Sequence, residues 1–211
     1  IGTALNLVFT ITLSYGLSRE GLKGRTFLTG FVFFTMLFSG GMIPTFILVK
    51  GVGLIDSRWA MVLPCLINTW NLLIMRNFFY GIPKSLEEAA VIDGANDAQV
   101  LVKIVLPLSK ASIATIGLFY AVSHWNAWFD AMLYINTTAL LPMQNILRNI
   151  ITAASSIGDL GAEAYNSLDV VPPSQAIRAA TIVITTLPIL VAYPFVQKYF
   201  EKGFMAGAVK G

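Results

Sequence analysis

The chain has 211 residues, 56% of them hydrophobic and 12% charged, with a mean hydropathy of +0.72. Soluble domains carry about 25% charge, so this composition excludes an ordinary soluble domain and places the chain in a bilayer. The formal charge of +3, scattered among apolar runs, argues against nucleic acid as a partner, and the one cysteine, Cys65, excludes an internal disulfide or a cysteine-cluster metal site.

A spanning helix needs about 20 mostly apolar residues. Segments 1–18, 26–49, 59–79, 111–135 and 177–198 meet that length and predict an all-α polytopic membrane helix bundle, folded as one domain over residues 1–211. The chain opens at Ile1, already inside an apolar run, so an upstream part is expected; the basic n-region and small-residue cleavage site of a signal peptide are lacking. Gly40-Gly41 with Pro44, then Pro64, Pro188 and Pro194, predict broken helices around a path, although ordinary kinks are the plainer account. In the third span Asn68 and Asn71 are candidate path residues, with helix-to-helix hydrogen bonding as the alternative.

Between the third and fourth spans lies EAAVIDGANDAQVLVKIVLP, residues 88–107, a charged and glycine-hinged cassette. Pro83 and the Ser85-Leu-Glu-Glu88 pattern predict a capping box and a helix starting at Ser85. Leu86, Ala89, Ala90 and Asp93 follow at helical spacing, and the two alanines allow another protein to approach closely. Gly94 is placed to end that helix in a left-handed conformation. Asn96 with Gln99 predicts a second capped helix, whose apolar face Val100, Leu101, Ile104 and Val105 runs until Pro107 interrupts it. A helix pair lying on lipid headgroups is the alternative, but Glu87, Glu88 and Asp93 are the wrong sign for an anionic leaflet, so a protein partner is favoured.

The fourth span holds SHWNAWFDAMLY, residues 123–134, the most polar stretch of any span. His124, Asn126 and Asp130 fall within two turns there, and intramembrane ionisable groups face a bundle interior or cavity. Trp125 and Trp128 suit stacking on sugar rings, while an interfacial aromatic belt is the competing reading. Segment 136–176 follows, with an amphipathic helix over LPMQNILRNIITAA and a polar loop ending at Pro172-Pro173. Of the 14 Lys and Arg residues, Lys50, Arg58, Arg148 and Arg178 fall on one side of the spans and the rest on the other. That bias predicts a cytoplasmic cassette and C-terminus and an outer 136–176 segment.

Glu88-Ala89-Ala90, Gly94 and Ile104-Val105-Leu106-Pro107 resemble, at matching spacing, the EAA loop of binding-protein-dependent ABC importer permeases. Ile82-Pro83, Ile92-Asp93-Gly94-Ala95, Trp125-Asn126 and the tail Gly203 to Gly211 are most similar to the carbohydrate-uptake branch, in its smaller, maltose-type subunit. The resemblance spans essentially the whole chain and implies that the family's first helix is missing. It implies a coupling role for Glu88, Ala89, Ala90, Asp93, Gly94, Ile104, Leu106 and Pro107, with Glu88 making the polar contact to an ATPase dimer. It also implies a second homologous permease subunit, an extracytoplasmic solute-binding protein meeting segment 136–176, a bacterial inner-membrane location and a saccharide cargo. Gly16 to Lys23, GLSREGLK, lacks the Gly-Lys-Ser/Thr of a phosphate-binding loop, so ATP and Mg are expected on the partner and no cofactor in this chain. Where the family often has proline shortly after Leu-Pro, Ser109-Lys110-Ala111 stands here, predicting a less sharply bent start to the fourth span.

Two other readings compete. An enzyme acting on a lipid-linked sugar needs convergent acid, base or metal ligands, and His124 with Asp130 is the one candidate constellation. A structural membrane subunit without a path is opposed by the broken helices and the cassette.

Overall fold

The computed structural model describes residues 1–153, 176, 178–191 and 193–194. These residues are helical with no strand among them: α1 Gly2–Ser18, α2 Arg25–Leu37, α3 Met42–Gly51, α4 Thr69–Tyr80, α5 Lys84–Ile92, α6 Asp97–Val100, α7 Leu106–Leu108, α8 Lys110–Trp125 and α9 Trp128–Tyr134. Helices over 143–153 (α10) and Arg178–Val191 (α11) follow. They fall into two compact units, one of residues 1–45 and 62–124, the other of residues 46–61 and those from 125 onward.

In the first unit α1 lies along α4, and both contribute to a core of Tyr15, Met75, Phe79, Val100, Val105, Ile116 and Tyr120. Apolar helices gain little by leaving hydrocarbon for one another, so close packing and interhelical hydrogen bonds must hold such a bundle. Both are present. Asn6, Thr10 and Ser14, four residues apart on α1, are buried and each is bonded across the unit. Asn6 Nδ2 donates to the carbonyls of Cys65 and Leu66 at 2.7 and 3.0 Å. Thr10 Oγ1 lies 2.7 Å from the Tyr120 hydroxyl, and Ser14 Oγ donates to Leu72 O at 3.0 Å. The carbonyls at 65 and 66 are available because the chain around Pro64 is not helical, so α1 satisfies backbone groups that the broken third span leaves open.

In the second unit Val49, Ala60 and Tyr134 form a small core, with Phe46 stacked on Tyr134. Asp56 latches its loop to the segment after α9. Oδ1 accepts from Asn136 N and Thr137 N at 2.9 and 2.8 Å, Oδ2 accepts from the Thr137 hydroxyl at 2.6 Å, and Asp56 N donates to Tyr134 O at 2.8 Å. Asp56 holds φ +61°, a left-handed conformation that Asp and Asn tolerate better than other non-glycine residues. The latch depresses the Asp56 pKa, chiefly through the Thr137 hydroxyl and then its N–H.

The breaks expected at Gly40-Gly41 and near Pro64 are present, and a further one, not expected, divides the fourth span. Span 1–18 is α1, but 26–49 breaks at 38–41, where Gly41 takes φ +87°, and 59–79 becomes a 3-10 turn at Arg58–Met61, an irregular stretch and α4. Segment 111–135 breaks at Asn126-Ala127, where Trp128 N donates to Asn126 O at 2.8 Å in a γ-like turn. No single described helix is long and apolar enough to cross a membrane; the bent pairs Arg25–Leu37 with Met42–Gly51 and Asp97–Leu108 with Lys110–Trp125 are, taken together. The end of span 177–198, the polar loop to Pro172-Pro173 and the tail Gly203 to Gly211 lie outside the described residues.

Candidate functional site

The cassette begins at α5. The predicted Ser85 capping box does not form: the N-cap is Pro83, with φ −58°, and no side chain caps the helix. Proline's fixed φ starts the helix without help and leaves Ser85 in the first turn, past the capping position. Gly94 ends the helix at φ +84°, as predicted, and Ala95 N donates to Ala90 O at 2.9 Å to close the turn. The second capping box does form: Asn96 Oδ1 accepts from Gln99 N at 2.9 Å, while Gln99 Oε1 accepts from Asn96 N at 3.0 Å.

Pro107 does not interrupt the second helix. A π-helical turn at Leu101–Val105 precedes it, and the wider turn accommodates the missing donor, so helix continues to Leu108. The break falls at Ser109, and α8 leaves at 85° to the preceding helical run. The softer bend expected from Ser109-Lys110-Ala111 is therefore not found; Ser109 turns the chain without a second proline.

Burial divides the predicted coupling residues. Glu88, Ala89, Asp93 and Gly94 are exposed, and beside them Leu86, Val91 and Ile92 present apolar surface, Ile92 at 85% exposure. Ala90, adjacent to Ala89 and so about 100° around the helix, instead packs against the unit's own core with Ile104. Leu106 is partly buried and Pro107 exposed. The outward surface is thus Leu86, Glu88, Ala89, Val91 and Ile92, acidic and apolar together.

Ion pairs that were not predicted fasten the cassette. Arg19, the C-cap of α1, pairs with Glu87 of α5 and reaches Asp97 of α6 at 3.1 Å, its guanidinium 4.8 Å from the Tyr15 ring centroid. The Tyr15 hydroxyl donates to Asp97 O at 3.2 Å. Lys84 pairs with Glu20, which lowers the Glu20 pKa and raises that of Lys84. Glu87 therefore faces inward to Arg19, not outward as its place in the acidic run suggested. These partners lie 68 and 78 residues apart in the chain, which no local pattern encodes.

The predicted path residues divide between the units. His124 Nε2 lies 2.8 Å from Asn6 Oδ1, and a Cβ on Gly2 would come within 2.6 Å of its ring. Asn68 caps α4 by accepting from Asn71 N at 3.1 Å, and its own N–H donates to the Tyr120 hydroxyl at 3.0 Å. His124 and Asn71 thus sit within interhelical packing, while Asn68 is exposed and joins it through its backbone N–H. In the second unit, Trp125 Nε1 donates to Thr185 O at 3.2 Å, Asn126 is exposed in the break, and Asp130 lies in the first turn of α9. Trp128 carries the Arg148 guanidinium 3.6 Å from its ring centroid. The break at Asn126 means that His124, Asn126 and Asp130 do not share one continuous helix face.

The sequence model of the family described as "Binding-protein-dependent transport system inner membrane component" matches residues 9–206. The chain belongs to this family. This permease is 52% identical over its whole length to the polygalacturonan/rhamnogalacturonan transport system permease protein YtcP of Bacillus subtilis, covering 73% of that protein. It is 50% identical over its whole length to protein LplC of the same organism, covering 70% of it. Among solved structures it is similar to a bacterial ABC transporter involved in the import of the acidic polysaccharide alginate, with a TM-score of 0.83, 36% identity, and coverage of 94% of the permease and 70% of that chain. The helical fold is that of an ABC importer permease.

Proposed function

We propose that this chain is one permease subunit of an ATP-driven, binding-protein-dependent saccharide importer whose cargo is an acidic, uronic-acid-containing oligosaccharide. The observation that carries the cargo class is the likeness, at 52% and 36% identity, to proteins described as handling polygalacturonan/rhamnogalacturonan and alginate. The chain contains no phosphate-binding loop, so ATP and Mg are held by a separate ATPase dimer, and a second homologous permease completes the path.

In this reading the cassette and C-terminus face the cytoplasm. The exposed α5 surface enters a groove on the ATPase: Glu88 supplies a charged hydrogen bond, Ala89 permits close approach, and Leu86, Val91 and Ile92 bury apolar area. Asp93 and Gly94 form the turn, while Ala90, Ile104, Leu106 and Pro107 carry its displacement into α8. An extracytoplasmic solute-binding protein delivers cargo against segment 136–176. Trp125, Asn126, Trp128 and Asp130 are the substrate-path candidates, since tryptophan faces suit the C–H faces of sugars; His124, Asn68 and Asn71 support the walls by hydrogen bonding.

The test is reconstitution of the full-length protein with a partner ATPase, a second permease and a solute-binding protein from the same organism. ATP-dependent uptake of oligogalacturonate, exceeding that of neutral maltodextrin, is expected; uptake of neutral sugar alone overturns the cargo class, and failure to retain an ATPase overturns the role.

A further inference from the structure

We propose that Arg19 is a positioning residue that sets the angle of the coupling helix α5. This deepens the reading of α5 as the ATPase-docking element and rests on it. Of the α5 residues, Ala90 is the one that packs against the core cluster; the second half of the cassette, by contrast, is anchored by Val100, Leu101, Ile104 and Val105. Ile82 and Ala95 anchor the two ends, but a single alanine within the helix offers little apolar resistance to rolling. What opposes rolling is electrostatic: Glu87 bound to Arg19 at the middle of α5, and Lys84 bound to Glu20 at its start.

The arrangement has a fixed origin and two arms. Arg19 and Glu20 are consecutive residues at the end of α1, opposite in sign, and their partners Glu87 and Lys84 lie three apart on α5 with the signs reversed. Such a pairing fits one rotation of α5 and not its neighbours. The Arg19 and Glu87 side chains are 23% and 19% exposed, so their pairing is partly shielded from solvent, whereas the Asp97 side chain is 82% exposed and contributes mainly alignment. Behind Arg19, Arg76 Nε of α4 donates to Leu17 O at 3.2 Å, tying the end of α1 to the next helix. Movement imposed on α5 therefore reaches α1 and α4 directly through Glu87 and Arg19, in parallel with the apolar route through α6 to α8.

The experiment measures distances inside this chain in the assembled, full-length complex. Spin labels are placed at Ser85→Cys and Asn77→Cys, both exposed and outside the proposed docking surface, in a Cys65→Ser background. The unsubstituted clamp should give one narrow distance distribution, R19E should broaden it at least twofold, and R19E/E87R should narrow it again. Transport per ATP hydrolysed should fall about tenfold in R19E and recover in the double variant. If R19E does not assemble, E87Q, which is isosteric and neutral, should still broaden the distribution. Unchanged widths in R19E or E87Q overturn the clamp, as does a double variant no narrower than R19E. Because the distance lies within one subunit, loss of ATPase docking in an E88R control leaves it in place, so the two readings fail separately.

Discussion

The Tyr120 hydroxyl lies 2.7 Å from Thr10 Oγ1 and accepts from Asn68 N at 3.0 Å, so one phenol links α1, the start of α4 and α8. Removing it in Y120F leaves a buried threonine hydroxyl and a partly buried backbone N–H without this partner. Interhelical hydrogen bonds in membranes average about 0.6 kcal/mol with a maximum near 1.7, and stranding two groups puts the expected loss at about 1–2 kcal/mol. Thermal unfolding of the purified complex in detergent checks this; an unchanged melting temperature would show that the Tyr120 bonds add nothing to stability.

Gly2 of α1 lies against the His124 ring. Substitution by alanine places Cβ within 2.6 Å of Nε2, so the ring must turn and its bond to Asn6 is lost. G2A should cost about 1–3 kcal/mol, and adding H124A should relieve most of the clash. A double-mutant cycle measures the coupling, and simple additivity would refute it.

Nothing in this chain lies within 4 Å of a Cβ built on Gly94, so within the subunit substitutions there act through the backbone conformation. At φ +84° a β-branched residue is strained by about 1–2 kcal/mol, whereas asparagine tolerates the left-handed region. Uptake should therefore rank wild type, G94N, G94V in falling order, with G94V reduced tenfold or more. Equal uptake by G94N and G94V would show that the turn conformation is irrelevant.

Asp56 has a folded pKa below its ordinary value, so the latch stabilises fully above that value and is lost as pH falls through the depressed folded pKa. The melting-temperature gap between wild type and D56A should hold from pH 7 to 5 and narrow below about pH 4. D56N keeps one acceptor oxygen and the tolerance for φ +61°, so it should be milder than D56A at pH 7. A gap that widens on acidification would contradict the assignment.

Much of the cassette was legible because local chemistry decides it: Gly94 needed its left-handed turn, and Asn96 with Gln99 could satisfy one another. The Ser85 box failed because Pro83 had already fixed the start of α5. Arg19 was illegible as a clamp, since its partners are brought to it only by the packing of α1 against α4. Asn6, Thr10 and Ser14 were a missed signal; polar residues at a spacing of four in an apolar helix mark a buried bonded face. The break at Asn126 was not legible, because no proline or glycine marks it, and the bond of His124 to Asn6 joins residues 118 apart that only packing brings together.

Site-specific crosslinking from Ala89→Cys to the co-expressed ATPase, in a Cys65→Ser background and with Phe129→Cys as an exposed control, tests directly whether α5 docks on the ATPase. Crosslinking at Ala89 to the ATPase and none at Phe129 is the predicted result. An assembled complex in which Ala89 captures no ATPase, or in which Phe129 captures as much, would contradict the assignment of α5 as the joint between ATP hydrolysis and this permease.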